Sequence, residues 1–326
     1  MNGLGGVVRN LATLARSLLC AAAVLGNVYA TQAQTTPKLA DVIDSIRPSV
    51  VQVSVKLVGT PENRFPHAPA ALDGCFHGSP ICIAGTGFFV NSNGDIVTAM
   101  HVVDGFRARD GSDHPGVKQV IEALQAVGIH AELSIGVAMP NVETERITVS
   151  SGTFGYSAVL VATDPSHDLA LIRPTNNPFT HMPKMFGGPG SVGLPQATVT
   201  YVTFSPARPR DAEDIFACGY PLGEPGLITT SGTLASAWNT MALLRAEAAG
   251  FSFPVEVYHV DLRINPGNSG GPVFRMSDQA LIGVAVQSLG SLGVVVPAKF
   301  VIAFLKAQGV SWTPAKIDSG HSMKPK

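Results

Sequence analysis

Charged side chains are scarce in this sequence, and neither sign of charge is concentrated in one part of it. Lys, Arg, Asp and Glu together make up 14% of its 326 residues, and the formal net charge is -1. Nucleic-acid-binding surfaces cluster Lys and Arg along the path of the phosphates. The composition therefore favours no nucleic-acid partner, whereas a 45% share of hydrophobic residues is enough to bury a full core.

Long hydrophobic runs and aromatic residues are also few. A membrane-spanning helix needs about 20 consecutive apolar residues, and because the sequence has no such run, no stable membrane anchor is expected. Aromatic residues contribute 7%, whereas glycine and proline are plentiful, at 34 and 24 residues. This composition is typical of many short strands joined by turns, and the length allows about two domains of ~100–200 residues each.

The first 33 residues have the composition of a secretory signal peptide. Arg9 and Arg16 form a basic region, residues 18–25 are a short apolar segment, and residues 28–33 contain two small-residue cleavage patterns. A segment of this kind is removed during export. We therefore expect a periplasmic or secreted mature protein.

Cysteine is rare, with only 4 residues, one of them in the predicted signal peptide. Cys75 and Cys82 lie close together in a polar loop, and an exported protein meets an oxidising compartment, so we expect a disulfide between them. The alternative is a zinc site formed with His67 and His77, but the spacing is not a standard one and no metal is expected. Cys218 lies in an apolar segment, which predicts a buried, unreactive thiol.

A glycine-rich turn surrounds one serine in the second half of the chain. Residues 264–273 read INPGNSGGPV, with Ser269 next to Gly270 and two residues after Gly267. Glycine permits positive φ and close approach of the backbone, which leaves the Ser269 hydroxyl open to a substrate carbonyl. The amides of Gly267 and Ser269 lie on one tight turn, so we expect them to form an oxyanion hole.

Two further segments supply the groups that activate such a serine. Residues 85–103 have a hairpin pattern, in which a second apolar run ends at His101. Asp168 opens the apolar segment 168–172. Imidazole takes the serine proton, and a carboxylate on its other ring nitrogen fixes the tautomer. The chain order His, Asp, Ser is that of chymotrypsin-type enzymes, not of subtilisins or α/β-hydrolases.

These motifs together resemble the HtrA/Deg type of trypsin-like serine proteases, over about residues 39–308. The matching segments are 85–89 (GTGFF), 98–103 (TAMHVV), 168–172 (DLALI), 219–223 (GYPLG), 230–234 (TSGTL) and 265–272 (NPGNSGGP). The resemblance implies an all-β fold of two antiparallel six-stranded β-barrels, the chymotrypsin-like double barrel, with short N- and C-terminal helices. Catalysis is then expected in the cleft between the barrels, with His101, Asp168 and Ser269 as the triad.

The resemblance also implies a division of the chain. After the signal peptide at 1–33, an N-terminal barrel with a linker occupies 34–195, a C-terminal barrel occupies 196–312 and a flexible tail occupies 313–326. Many HtrA-like proteins carry PDZ domains after the protease, and none is expected here. The sequence near residue 34 has no clear aromatic trimerisation segment, so the oligomeric state stays open.

The implied activity is that of a serine endopeptidase, which cleaves protein or peptide substrates through an acyl-enzyme without a cofactor. The specificity pocket is expected to be lined by Ile264, Gly283, Val284 and Ala285, which favours small or medium aliphatic side chains. If Arg263 enters the pocket, acidic side chains are favoured instead, but its long side chain is expected to reach solvent. Two alternatives are a latent or chaperone-like binding protein on a protease fold, and an esterase.

Periodicity predicts the remaining elements. A helix is expected at 39–46, a second at 117–127 in an insertion after His101, and a third at 298–306, with Pro297 at its first position and Gly309 ending it. Residues 174–195 are predicted to link the two barrels. Strands are predicted at 50–55, 147–149, 158–162, 214–218, 226–230, 255–261, 281–287 and 294–297.

Overall fold

The structure is a computed structural model that describes residues 39–61, 82–104, 122, 126, 129–139, 154–175, 199–223, 226–243 and 254–315. The predicted signal peptide, Cys75 with both histidines of the alternative zinc site, the strand at 147–149 and most of the inserted helix and linker lie outside these residues. Contacts divide the chain into two units, Met1–Val42 and Ile43–Lys326. Among the described residues, no helix combines the length and the apolar character needed to cross a membrane.

Helix α1, Leu39–Ile46, has the bounds that the sequence predicted, and a 3-10 turn, Arg47–Ser49, follows it. Proline disfavours helical conformation in the residue before it, which explains why the α-helix ends close to Pro48. The hydroxyl of Ser49 donates a hydrogen bond to the carbonyl oxygen of Ile46, at 2.7 Å. This bond satisfies one of the carbonyl groups that a helix end leaves without an intrahelical partner.

Six strands of the first half of the chain form a closed barrel in the order β1-β2-β3-β6-β5-β4. Every neighbouring pair in it is antiparallel. Phe88 and Phe89 are neighbours in sequence and both fully buried, so β2 is covered on both faces. The six strands are β1 Val50–Pro61, β2 Cys82–Phe89, β3 Ile96–Ala99, β4 Ile129–Met139, β5 Phe154–Asp164 and β6 Leu169–Pro174.

A polar turn connects β2 to β3 and fixes the hairpin predicted from the sequence. The side-chain oxygen of Asn91 accepts hydrogen bonds from the amides of Asn93 and Asp95, at 3.0 and 3.3 Å. Asp95 is buried, and its carboxylate is paired with Arg173 on β6 at 2.6 Å. Because a buried carboxylate needs such partners, these contacts stabilise the turn. Strand β3 then leads directly into a short helix α2, Met100–Val103.

The second half of the chain forms an eight-stranded sheet in the order β11-β8-β9-β10-β13-β12-β7-β14, with a further pairing of β11 and β12. Its core is an apolar cluster that includes Ile215, Leu234, Val260, Val273 and Val295. Helix α3 is Ala298–Ala307. The strands are β7 Thr203–Phe204, β8 Asp214–Gly219, β9 Ile228–Met241, β10 Val255–Asp261, β11 Pro272–Arg275, β12 Leu281–Leu289, β13 Leu292–Pro297 and β14 Thr313–Pro314.

This sheet differs from the expected antiparallel arrangement at one edge. The short strand β7 pairs in parallel with both β12 and β14. Two-residue hairpins can join only antiparallel strands, whereas parallel neighbours need a crossover. Here β7 is separated from β12 by four other strands of the chain, and from β14 by six strands and helix α3, so the intervening chain supplies the crossover in both cases.

Helix α3 confirms the predicted closing helix, with one correction at its start. Pro297 is the N-cap, with φ -56° and ψ 142°, and not the first helical residue. Gln308 caps the C-terminus, and Gly309 follows with φ +67°. Glycine tolerates this left-handed conformation, so the helix ends where the sequence predicted.

Candidate active site

His101 lies on α2, immediately after the strand that closes the hairpin. Ala99 is the N-cap of this helix and has an extended conformation. The first amides of a helix have no intrahelical acceptor, and here the amide of Met100 donates to the backbone oxygen of Asp168, at 2.9 Å. The His101 side chain is 15% exposed, so its ring is largely enclosed but still reaches the surface.

Asp168 binds both the ring and the backbone of His101. Its Oδ2 lies 2.6 Å from Nδ1 of the imidazole, and its Oδ1 accepts the His101 amide at 2.9 Å. Asp168 has φ 54°, a left-handed conformation that Asp tolerates better than most residues. Its carboxylate is 2% exposed, so water does not compete for it. His101 and Asp168, 67 positions apart in the chain, are thus joined by two hydrogen bonds. A third hydrogen bond joins Asp168 to the neighbouring residue Met100.

This arrangement determines which ring nitrogen of His101 is available for chemistry. A carboxylate accepts hydrogen bonds only, so the partner nitrogen Nδ1 carries the proton. The other nitrogen, Nε2, then has its lone pair free and can accept a proton from a neighbouring hydroxyl. The pair can therefore act as a general base.

Ser269 lies on a turn whose backbone is fixed on both sides. The amide of Gly270 donates to Ala285 O at 2.7 Å, and the amide of Ala285 donates back to Gly271 O at 2.9 Å. Gly270 has φ +84°, and a Cβ there would collide with the carbonyl oxygen of Thr86 and the hydroxyl of Thr98. Gly267 has φ +97°. Only glycine fits such a combination of conformation and crowding.

The serine turn lies against the strand that begins the His101 hairpin. The amide of Thr86 donates to Ser269 O at 2.9 Å. A Cβ added to Gly85 would lie 2.5 Å from Val102 Cγ2 and 3.1 Å from Ser269 O. Gly85 is therefore in contact with both the residue after His101 and the serine backbone. The turn that carries Ser269 therefore lies against the hairpin that leads to His101.

A small cavity opens beside this turn. Two of the four predicted pocket residues, Ile264 and Ala285, line it. Gly283 and Val284 lie earlier on β12, where Val284 is fully buried and pairs with Pro272 and Val296. The complete lining consists of Ala217, Cys218, Ile228, Thr230, Ile264, Asn268, Gly271 and Ala285.

Two cavity features were not predicted from the sequence, the contributions of Asn268 and Cys218 to its wall. Asn268 contributes to the cavity wall, and its side-chain amide donates to Arg263 O at 3.4 Å. Arg263 itself is exposed and does not line the cavity. Cys218 lines it as a free, buried thiol, 3.4 Å from the Thr229 hydroxyl. Burial raises the pKa of this thiol to about 11, so it is protonated at neutral pH and is not a nucleophile.

A second carboxylate–imidazole pair lies just before Asp168. Asp164 Oδ2 is 2.7 Å from His167 Nδ1, and Asp164 Oδ1 accepts a hydrogen bond from the Ser166 hydroxyl. Burial acts to raise the pKa of Asp164, but the hydrogen bonds from His167 and Ser166 outweigh it and leave that pKa below its ordinary value. The His167 ring stacks on Phe300 of α3, with ring centroids 4.1 Å apart. The hydrogen bonds are local and hold the turn before β6, whereas the ring stacking joins this turn to α3.

The described part of the chain contains no group of three or more His, Cys, Asp or Glu side chains arranged to hold a metal ion. Cys82 belongs to β2, but Cys75, its predicted disulfide partner, lies outside the described residues. The disulfide and the alternative zinc site therefore stay predictions.

A family model described as a trypsin-like peptidase domain matches residues 85–284, which is more than half of the chain. A relative named "Probable periplasmic serine endoprotease DegP-like", from Brucella suis, is 24% identical over 265 residues. The aligned region covers 78% of this chain and 45% of the length of the relative. "Serine protease PepD" of Mycobacterium tuberculosis is 31% identical over 147 residues, or 44% of this chain and 27% of its own. The chain thus spans less than half the length of these relatives.

Solved structures resemble the fold of the chain. The active form of the Rv3671c protease from M. tuberculosis aligns with a TM-score of 0.52 over 86% of this chain and 89% of that chain, at 18% identity. At this identity the likeness concerns the fold. The segments 85–89 and 265–272, which carry the hairpin start and the serine turn, lie within the region that the family model matches.

Proposed function

Because the chain belongs to the trypsin-like peptidase family, we propose that it is a serine endopeptidase whose triad is His101, Asp168 and Ser269. The observation that carries the proposal is the buried carboxylate of Asp168, 2.6 Å from Nδ1 of His101, next to a serine turn that is hydrogen-bonded to the same barrel through Thr86. A buried carboxylate, a base and a glycine-flanked hydroxyl are the parts that acyl transfer requires.

In the proposed reaction, His101 Nε2 takes the Ser269 proton as the hydroxyl oxygen attacks the scissile carbonyl. The imidazolium that forms is stabilised by the Asp168 carboxylate, which remains ionised. His101 then protonates the leaving amine as the C–N bond breaks, and an acyl-enzyme remains on Ser269. Water, deprotonated by the same imidazole, attacks the ester and releases the acid.

The proposed oxyanion hole consists of the amides of Gly267 and Ser269. The positive φ of Gly267 supports this assignment, since a residue with a Cβ would contact Tyr220 O at that position. Removal of one such donor costs about 10²–10³ in kcat in enzymes of this kind.

The cavity beside the turn supports a preference for small or medium aliphatic side chains before the scissile bond. Ile264, Ala217 and Ala285 are among its walls, and none of the described residues that line it is charged. The exposed position of Arg263 favours the aliphatic preference over an acidic one. A cleavage-site profile on an unfolded protein tests this, because frequent cuts after Asp or Glu would contradict it.

We also propose that six strands of the second sheet form the second barrel of a chymotrypsin-like fold. The supporting observation is that the pairings β11–β8, β8–β9, β9–β10, β10–β13, β13–β12 and β12–β11 return to their starting strand. Strands β7 and β14 then form an extension beside β12. An experimental structure with an open gap between β11 and β12 would contradict this.

Export through the signal peptide at 1–33 and a Cys75–Cys82 disulfide are further parts of the proposal. The name of the Brucella relative includes the word periplasmic, which supports export. Mass spectrometry of the protein purified from an exported fraction tests both, through the mature N-terminus and the mass shift on reduction.

Covalent labelling with a fluorophosphonate probe tests the central proposal. The wild-type protein should be labelled and should cleave an unfolded protein such as casein, and Ser269→Ala should do neither. The Ser166→Ala variant is the matched control, because Ser166 also contacts a histidine and a carboxylate but should remain labelled at Ser269. Labelling without proteolysis would favour a latent enzyme or an esterase, and absence of labelling would contradict the proposal.

A further inference from the structure

The polar groups of Thr86 join the two halves of the candidate site. Thr86 lies on β2 of the first barrel and is fully buried. Its hydroxyl donates to Gly267 O at 2.6 Å and accepts the Tyr220 amide at 3.0 Å. Its own amide donates to Ser269 O at 2.9 Å. Thr86 therefore binds the carbonyl oxygens of both residues proposed as oxyanion donors, that of Gly267 through its side chain and that of Ser269 through its amide. Gly267 lies 181 positions away in the chain.

The peptide unit before Gly267 is fixed from the other side. Pro266 O accepts the amide of Leu222 at 2.6 Å. In a trans peptide the N–H and C=O groups point in opposite directions. Because the Pro266 carbonyl points towards Leu222, the N–H of Gly267 points away from it. Leu222 has φ 59°, a conformation that a leucine adopts only where its surroundings hold it there.

The same reasoning applies to the second donor. Asn268 O accepts the amide of Gly271 at 2.9 Å, so the N–H of Ser269 points away from that turn. Each N–H of the proposed oxyanion hole thus belongs to a peptide whose carbonyl is already bonded. The Gly267 carbonyl belongs to the Gly267–Asn268 peptide, which lies between the two donor peptides. Rotation of this peptide would break the bond to Thr86 and leave a buried carbonyl oxygen and the Thr86 hydroxyl proton without partners, which is unfavourable.

We propose that the Thr86 hydroxyl is a positioning group, which, with the Leu222 amide, keeps the oxyanion turn in the arrangement that presents its amides to substrate. Thr86 does not touch the reacting atoms and acts through Gly267. The proposal rests on the proposed function, because an oxyanion turn matters only in an enzyme that forms an oxyanion. It also explains why a hydroxyl occupies a fully buried site in a barrel of mostly apolar residues.

Replacement of the hydroxyl separates this role from packing. Thr86→Val keeps the shape and removes the bonds to Gly267 O and Tyr220 N, whereas Thr86→Ser keeps the hydroxyl and removes a methyl group. Ser49→Ala is the matched control, since it also removes a buried hydroxyl that donates to a carbonyl oxygen, at 2.7 Å, but far along the chain from the turn. Each variant is made in the full chain, with melting temperature and circular dichroism as tests of folding.

The readout is kcat and KM on a chromogenic peptide ester. We expect Thr86→Val to lower kcat by about tenfold to hundredfold with KM nearly unchanged, because the donors act on the transition state more than on the substrate. Thr86→Ser should restore kcat to about the wild-type value, and Ser49→Ala should not change it. A folded Thr86→Val protein with wild-type kcat, or one that changes only KM, would overturn the inference.

Crystal structures of the wild type and Thr86→Val keep the inference testable whatever the activity. We expect the peptide between Gly267 and Asn268, whose carbonyl Thr86 binds in the wild type, to rotate or to occupy two orientations in the variant alone. An unchanged turn in Thr86→Val would overturn the positioning role. A wild-type protein that is neither labelled nor active would instead overturn the proposed function, and the two crystal structures would still decide whether Thr86 holds the turn.

Discussion

Replacement of Asp168 by asparagine tests the pairing on which the proposed mechanism depends. The two carboxylate oxygens have separate partners, since Oδ1 accepts the His101 amide and Oδ2 accepts Nδ1 of the ring. Asparagine has one acceptor oxygen and one amide donor. It can satisfy only one of these two partners in the way that aspartate does.

The structure indicates which of these two hydrogen bonds the variant loses. If the Asn oxygen faced the ring, its NH₂ group would face the backbone N–H of His101, and two buried donors would be opposed, at a cost of about 1–3 kcal/mol. The preferred orientation therefore directs the NH₂ group at Nδ1. The ring must then accept there and carry its proton on Nε2, where it cannot act as a base towards Ser269.

The variant also loses the negative charge that stabilises the imidazolium. In Ser-His-Asp enzymes this replacement lowers kcat about 10⁴-fold, which corresponds to about 5 kcal/mol at ~1.36 kcal/mol for each factor of ten. We expect a similar loss for Asp168→Asn on a chromogenic peptide. The melting temperature should change little, because the bond to the His101 amide is kept.

The matched control is Asp164→Asn, four residues earlier. Asp164 also lies beside a histidine, but its partner is His167, so this variant should keep the wild-type kcat. A folded Asp168→Asn protein with kcat within tenfold of the wild-type value would refute the mechanism, and an equal loss in Asp164→Asn would show that the effect is not specific to the triad.

Three further predictions concern groups around the site. Burial raises the pKa of Cys218 to about 11. Iodoacetamide at mildly alkaline pH should therefore modify this thiol in the unfolded protein and not in the native one, as measured by mass spectrometry. Rapid modification of the native protein would contradict the burial of Cys218. Gly270→Ala should lower the free energy of unfolding by about 2–4 kcal/mol, because its Cβ would collide with backbone and hydroxyl atoms at φ +84°. Urea titration measures this loss, and an unfolding midpoint equal to that of the wild type would contradict it. Asp164 has a pKa below its ordinary value in the native state, so its ionisation contributes stability that is present above the ordinary carboxyl pKa and is lost as the pH falls through the lowered pKa. The destabilisation by Asp164→Asn should therefore shrink in acid, and a difference that is constant across the titration would contradict this assignment.

Much of the fold follows from local patterns in the sequence. The strand β10 has the predicted bounds 255–261, and helix α1 has the predicted bounds 39–46. The hairpin that ends at His101 is confirmed, because an Asn/Gly turn between two apolar runs is a strong local signal. Family membership is confirmed as well, since it depends on motifs that are contiguous in the chain.

Two strands were predicted only in part or not at all. Strand β9 extends from Ile228 to Met241, whereas the sequence predicted only 226–230. Its later residues mix polar and apolar side chains, and only Leu234 and Ala237 among residues 231–241 are buried. No regular alternation therefore marks this part of the strand, and pairing with β10 holds it in the sheet. Strand β4 was missed although Ile129, Ala131, Leu133 and Ile135 alternate with more polar or smaller residues, a period-two pattern typical of strands.

Some residues of the candidate site could be predicted from the sequence and others could not. The residue types and order of His101, Asp168 and Ser269 could be predicted, because a motif surrounds each of them. The role of Thr86 could not, although it lies in the GTGFF motif. Its hydroxyl bonds to Gly267 and Tyr220, which are 181 and 134 positions away, and no local pattern indicates such a pairing.

The contacts that join the barrel to the second sheet near the site are largely directional. Besides the bonds of Thr86, the amide of Val202 donates to Phe89 O at 3.0 Å, and the hydroxyl of Tyr220 donates to Val50 O at 3.4 Å. Apolar surfaces can slide over one another at small cost, whereas a buried donor or acceptor that loses its partner costs about 1–3 kcal/mol. Because the proposed base and the proposed nucleophile lie on opposite sides of this junction, a shift between the two sheets would break several of these bonds at once. The polar junction therefore restrains the hairpin that carries His101 against the turn that carries Ser269, as the proposed acyl transfer requires.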